Sequence, residues 1–182
     1  MTKFFLSFIL MILTTETLAS IKDNLISNLK NIDNLNFNFE QNINGKIENG
    51  NCTVEYSKKI FCKYNLTNKK ILVSNGRSLV IKTSNSFYIY PLEKTPLSLI
   101  LNKNYLLKKI KNLNERVISD KFINYRFVEN GNEINIFFDK NTYNLIGWQT
   151  LDIYQNLNIT YINSIIKNQI LKENLFKLPK RN

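Results

Sequence analysis

The chain has 182 residues, 43% of them hydrophobic and 21% charged, a formal net charge of +11 and no histidine. That length and balance suit one domain with its own core and exclude a wholly disordered chain. The missing histidine excludes Ser-His-Asp and Cys-His catalysis and His-bearing zinc sites.

Met1 to Ala19 reads as a cleavable signal peptide. Lys3 supplies the positive start, Phe4 to Leu13 is apolar apart from Ser7, and Thr17-Leu18-Ala19 places small residues for cleavage before Ser20. A membrane anchor is the alternative, but it needs about 20 apolar residues, and Thr14-Thr15-Glu16-Thr17 interrupts the run. The expected product, residues 20–182, is one exported domain, since no Pro- or Gly-rich linker divides it.

Ile21, Leu25, Ile26, Leu29 and Ile32 recur at helical spacing and predict an amphipathic helix. The period then changes to two. Leu35, Phe37, Phe39 and Ile43 alternate with Asn36, Asn38, Glu40 and Asn42, which predicts an antiparallel strand with one buried face. Gln41 is the odd polar member of the inward set. Strand-like runs follow at Cys52–Tyr56, Ile60–Leu66, Lys70–Val73, Ser78–Thr83 and Phe87–Tyr90, forming a meander. Its strongest turn signal is Asn75-Gly76.

Thr95-Pro96 suits a helix start, with Thr as cap and Pro in the first turn. Leu97, Leu99, Ile100 and Leu101 follow, and a second amphipathic piece spans Tyr105–Ile110. Strands resume at Arg116–Asp120, Asn124–Val128, Glu133–Asp139, Leu145–Leu151 and Asn158–Ile166, with a turn at Asn130-Gly131. Leu175–Pro179 reads as a final edge segment. The fold class is mainly β with helices: one curved antiparallel sheet of about nine strands. Alternation assigns Phe37, Phe39, Val54, Ile71, Val73, Leu79, Ile81, Phe87 and Ile89 to its inner face. The helices either plug that face into a solid core or form a lid over a cavity; periodicity does not separate the two, and close packing favours the solid core.

Export lets the two cysteines pair. Cys52 and Cys62 flank the Tyr56-Ser57-Lys58-Lys59 turn and point to one face of a symmetric hairpin. The alternative is two buried free thiols; a metal site lacks further ligands. The 14 carboxylates are scattered, and no phosphate-binding glycine loop occurs among the five glycines, so neither an enzyme nor a cofactor is expected. Positive charge favours acidic partners. The lysines are dispersed and no nucleic-acid-binding motif is present, so nucleic acid is not one of them.

Taken in order, these landmarks resemble the LolA family of periplasmic lipoprotein carriers. The similar segments are Phe39-Glu40-Gln41 after the first helix, the hairpin Tyr56–Tyr64 in place of an Arg-Pro-x-x-Phe-x-Trp-x-Tyr motif, Ile71–Gly76, Thr95–Ile100 and Phe176-Lys177-Leu178-Pro179. The resemblance implies an incomplete antiparallel barrel whose hydrophobic cavity is lidded by helices. It implies ligand contacts from the inner-face set above together with Ile60, Leu97, Ile100 and Leu101. It also implies a monomer that takes acylated lipoproteins from an inner-membrane lipoprotein-releasing transporter to an outer-membrane receptor or membrane. The family's hairpin arginine, which helps hold the lid shut, is Tyr56 here, which offers one donor to a lid carbonyl where arginine offers five, so a lid held more by apolar contact than by charge is expected. The Cys52/Cys62 pair is not part of the resemblance. A related protein binding another lipid or glycolipid is the alternative.

Overall fold

The computed structural model describes residues 20–129, 131–151 and 155–181. The expected signal peptide, Met1–Ala19, and Asn130 of the expected Asn130-Gly131 turn lie outside them. Helix α1 (Ile21–Lys30) opens the domain; the Ser20 hydroxyl accepts the Asp23 backbone N–H, satisfying one of the free donors of the first turn. Six strands follow: β1 (Asn34–Ile43), β2 (Lys46–Glu55), β3 (Lys59–Tyr64), β4 (Ile71–Asn75), β5 (Ser78–Lys82) and β6 (Phe87–Pro91). Helices α2 (Leu97–Ile100) and α3 (Lys103–Asn112) come next. The chain then returns to strand in β7 (Arg116–Ile118), β8 (Phe122–Glu129), β9 (Asn132–Asp139), β10 (Leu145–Leu151) and β11 (Leu157–Lys167).

Among the described residues all eleven strands form one antiparallel sheet, ordered β6-β5-β4-β3-β2-β1-β11-β10-β9-β8-β7. It is two meanders joined where β1 pairs with β11. Strands β6 and β7 are the two edges and do not pair, so no barrel closes. The segment between them must travel from one edge to the other. It does so across one face, and that crossover is what lays α2 and α3 over the sheet. Helix α1 packs against α3 on the same side. No helix among the described residues is long and apolar enough to cross a membrane.

The structure departs from the sequence expectations in four places. First, there are eleven strands, and β2 begins at Lys46 instead of Cys52, because Asn44 and Gly45 take positive φ and fold the chain directly back along the whole of β1. Second, Ile71, Val73, Phe87 and Ile89 lie on the outer face. Leu72 stands opposite Cys62 and Ile81, while Tyr88 and Tyr90 stand opposite Ile81 and Leu79, so these partners set the inward parity of β4 and β6. Ile71-Leu72-Val73 and Phe87-Tyr88-Ile89-Tyr90 are apolar or aromatic at every position, and a one-residue slip exchanges the faces.

Third, residues 175–179 are not an edge strand. They belong to a tail that crosses the outer face: Phe176 lies beneath the Lys59 ammonium at 5.8 Å, and the Lys180 carbonyl accepts from Lys82 Nζ at 2.9 Å. Val73 and Val80, on that outer face, are 1% and 0% exposed, and Phe176, Leu178 and Pro179 of the tail are half-buried. Fourth, the Thr95 side chain does not cap α2; its hydroxyl donates to the Leu92 carbonyl at 2.8 Å, and Pro96 occupies the N-cap position.

Candidate functional site

The inner face and the helices do not pack solid throughout. Between α2, β3–β6 on one side and β10–β11 on the other lies a cavity of about 300 Å³. Its apolar wall comes from Phe39, Leu72, Leu79 and Ile81 of the sheet, with Leu97 and Ile100 from α2. Trp148 and Leu151 face them from β10. The expected set therefore divides. Phe39, Leu79, Ile81, Leu97 and Ile100 line the cavity. Phe37, Val54, Ile60 and Leu101 are buried in the core without lining it. Ile71, Val73, Phe87 and Ile89 are excluded from it by their outward parity.

Sequence reasoning missed Leu72 and Tyr90, for the parity reason above, and Trp148, Thr150, Leu151, Asn158 and Thr160, which come from the distant end of the chain. The polar side of the cavity had one visible signal, the odd inward Gln41. Its amide nitrogen donates to Asn158 Oδ1 at 3.0 Å and to Thr160 Oγ1 at 3.4 Å, and its oxygen accepts from the Tyr64 hydroxyl at 3.3 Å. Phe39 and Tyr64 meet edge to face at 4.9 Å across Gly50, where a Cβ would lie 2.9 Å from the Phe39 ring. The glycine is required for that contact.

Beside Gln41 in register stands Glu48, 3% exposed and held by Lys46 at 2.9 Å and by Lys70. Burial pushes its carboxyl up, but the hydrogen bonds and charges of Lys70 and Lys46 outweigh burial and hold it below the usual carboxylate range. The Lys70 ammonium also lies 4.1 Å from the Tyr64 ring centroid. Burial, reinforced by the Glu48 charge, pushes the Tyr64 phenol up.

At the other end of the sheet the β2–β3 hairpin meets the lid. The Lys58 N–H donates to the Leu101 carbonyl, just past α2, at 3.0 Å. Lys103, at the start of α3, donates to the Ile32 carbonyl at 2.8 Å and the Lys30 carbonyl at 3.2 Å, and its ammonium lies 5.9 Å from the Tyr56 ring centroid. Among the described residues the Tyr56 hydroxyl has no hydrogen-bond partner, so the expected tie to a lid carbonyl is made by the neighbouring backbone instead. Cys52 and Cys62 face each other across β2 and β3 and are bonded, with Cα atoms 4.1 Å apart. The Cys62 end lines the cavity. Helix α3 is also tied to the end of β8, where Glu129 accepts from the Tyr105 hydroxyl at 2.7 Å and pairs with Lys109 at 2.9 Å.

An open antiparallel sheet, a helical crossover and an apolar chamber between them define a fold of the curved-sheet-and-lid class. Residues 30–179 match the family described as outer membrane lipoprotein carrier protein LolA, and the chain belongs to that family. No curated protein matches the sequence. Similar solved structures include a LolA superfamily protein from Nitrosomonas europaea, at 6% identity and TM-score 0.48, covering 88% of this chain and 99% of that one. LprF from Mycobacterium bovis gives 10% identity and TM-score 0.43 over 80% of this chain and 90% of that one. A DUF1329 family protein from Desulfovibrio piger gives 7% and 0.45 over 86% and 95%.

Proposed function

We propose that the protein is a periplasmic chaperone that carries the acyl chains of lipoproteins from an inner-membrane lipoprotein-releasing transporter to an outer-membrane receptor or membrane. It acts by binding, as a monomer, and without catalysis. The observation that supports this most is the apolar chamber whose wall is built mostly from the sheet and closed on one side by Leu97 and Ile100 of α2. A pocket of about 300 Å³ is at the lower end of ligand-site volumes, so full uptake of several chains requires the lid to lift.

The energetics then have a workable sense. Each buried CH₂ stabilises the loaded state by about 0.8 kcal/mol, which for several chains would hold the cargo too tightly for transfer. Reclosure of α2 and α3 onto the emptied sheet opposes this, because lifting the lid would break the contacts made by Lys58, Lys103 and Ile100 and reclosure would restore them. Purification from the periplasm without detergent, followed by mass spectrometry, tests the reading. Acylated lipoprotein should co-purify, and depletion of the protein should strand outer-membrane lipoproteins at the inner membrane. Co-purification of free lipid alone, with lipoprotein sorting intact, would replace this reading with that of a carrier for another lipid or glycolipid.

A further inference from the structure

The cavity is not apolar all round. Thr150 and Asn158 face each other across β10 and β11, Thr160 stands next along β11, and Gln41 is opposite Thr160 on β1. All four line the chamber, forming a polar stripe across from Leu79, Ile81 and Leu97. Thr150 is 6% exposed and Thr160 3%. The Gln41 amide uses the acceptor sides of Asn158 and Thr160. Among the described residues, nothing accepts from the Asn158 amide N–H groups or the Thr160 hydroxyl, and the Thr150 hydroxyl has no partner. The stripe therefore presents donors to the cavity, and it carries no charge. Thr150 and Asn158 are each one residue from the end of their strand, where β10 leads out of the sheet and β11 enters it.

A chamber meant for hydrocarbon alone would lose affinity here, since a filled cavity strips water from these donors and returns nothing. A ligand with acceptor oxygens at one end and chains at the other removes the conflict. We infer that Thr150, Asn158 and Thr160 form a subsite for acyl-ester or acyl-amide carbonyl oxygens, so that the cavity reads the linkage as well as the chains it carries. This rests on the lipid-carrier reading and adds to it the chemical class that the polar wall selects. The linkage sits at the strand ends, and the chains run inward toward Ile100 and Phe39.

Competition against a fluorescent fatty-acyl probe, using the purified mature chain, tests the subsite. The competitors are a diacyl phospholipid and its dialkyl ether counterpart, matched in chain length and head group, so that only the carbonyls differ. Two recovered hydrogen bonds predict that the ester lipid binds about tenfold more tightly than the ether. Thr150→Val and Asn158→Leu should each shrink that ratio, weakening the ester lipid while the ether, relieved of the unreturned desolvation of these donors, binds as tightly or more tightly; cooperative urea denaturation of each variant is the check on folding. Equal ester and ether affinities in the wild type, or an ester preference that survives both substitutions, overturn the subsite while leaving the carrier reading intact. Failure of both lipids and of a diacylglyceryl lipopeptide to bind overturns the carrier reading and the subsite together. With the preference in place, tighter binding of the lipopeptide than of the phospholipid assigns the carbonyls to a lipoprotein, and the reverse order assigns them to free lipid.

Discussion

Glu48 shows how a single buried charge is made tolerable. Its carboxylate is stable inside because Lys46 and Lys70 both reach it, and removing one partner leaves a charge with too little compensation. Lys70→Met should therefore lower stability by about 3 kcal/mol, read from urea denaturation at neutral pH. Because the folded carboxyl is held below its ordinary range, its contribution is complete above that range and is lost as pH falls through the folded value. The wild type should lose this stability on acidification, and Glu48→Gln should show a shallower acid limb. An acid limb unchanged by Glu48→Gln would show that other carboxylates dominate. None of this was legible in the sequence: Glu48 lies in a polar, Asn-rich stretch, and only the pairing of β2 with β1 turns it inward beside Gln41.

At the scale of elements the hairpin and the lid matter most. The tie between them is a main-chain hydrogen bond from Lys58 with Lys103 as a bracket, so the Tyr56 hydroxyl contributes no bond. Tyr56→Phe should release cargo at the wild-type rate. Lys103→Met should remove two charge-assisted bonds to the Lys30 and Ile32 carbonyls at the end of α1, and amide exchange in α2 and α3 should accelerate about tenfold or more. Unchanged exchange in Lys103→Met would place the latch elsewhere. The Cys52–Cys62 bond ties β2 to β3 directly below this contact. Replacing both with alanine should cost about 2–3 kcal/mol by the loop-entropy account, measured as a drop in denaturation midpoint that reducing agent reproduces in the wild type. Both cysteines and the turn between them were readable from local sequence, since hairpin pairing depends on near neighbours.

For the whole molecule, loading should stabilise the fold in proportion to ligand occupancy. A diacylated lipopeptide at a hundred times its Kd should add about 2.7 kcal/mol, seen as a concentration-dependent rise in Tm; a Tm independent of lipopeptide would argue against binding to the folded state. The sequence by itself determined the first helix, most of the strand runs, the Asn75-Gly76 turn, the inward face of β1 and the helical interruption after Tyr90, because each rests on periodicity or turn chemistry within about ten residues. Tertiary structure alone decided the rest. Leu72 and Tyr90 face inward because their cross-strand partners impose that parity on runs that are apolar at every position. The tail of residues 171–180 crosses the outer face, where Phe176 meets Lys59 and the Lys180 carbonyl accepts from Lys82, contacts between residues about a hundred positions apart that no local pattern announces. And the cavity exists because β6 and β7 end at opposite edges, which forces the segment between them across the inner face, where four-residue α2 and its neighbours cannot fill the space between β3 and β10.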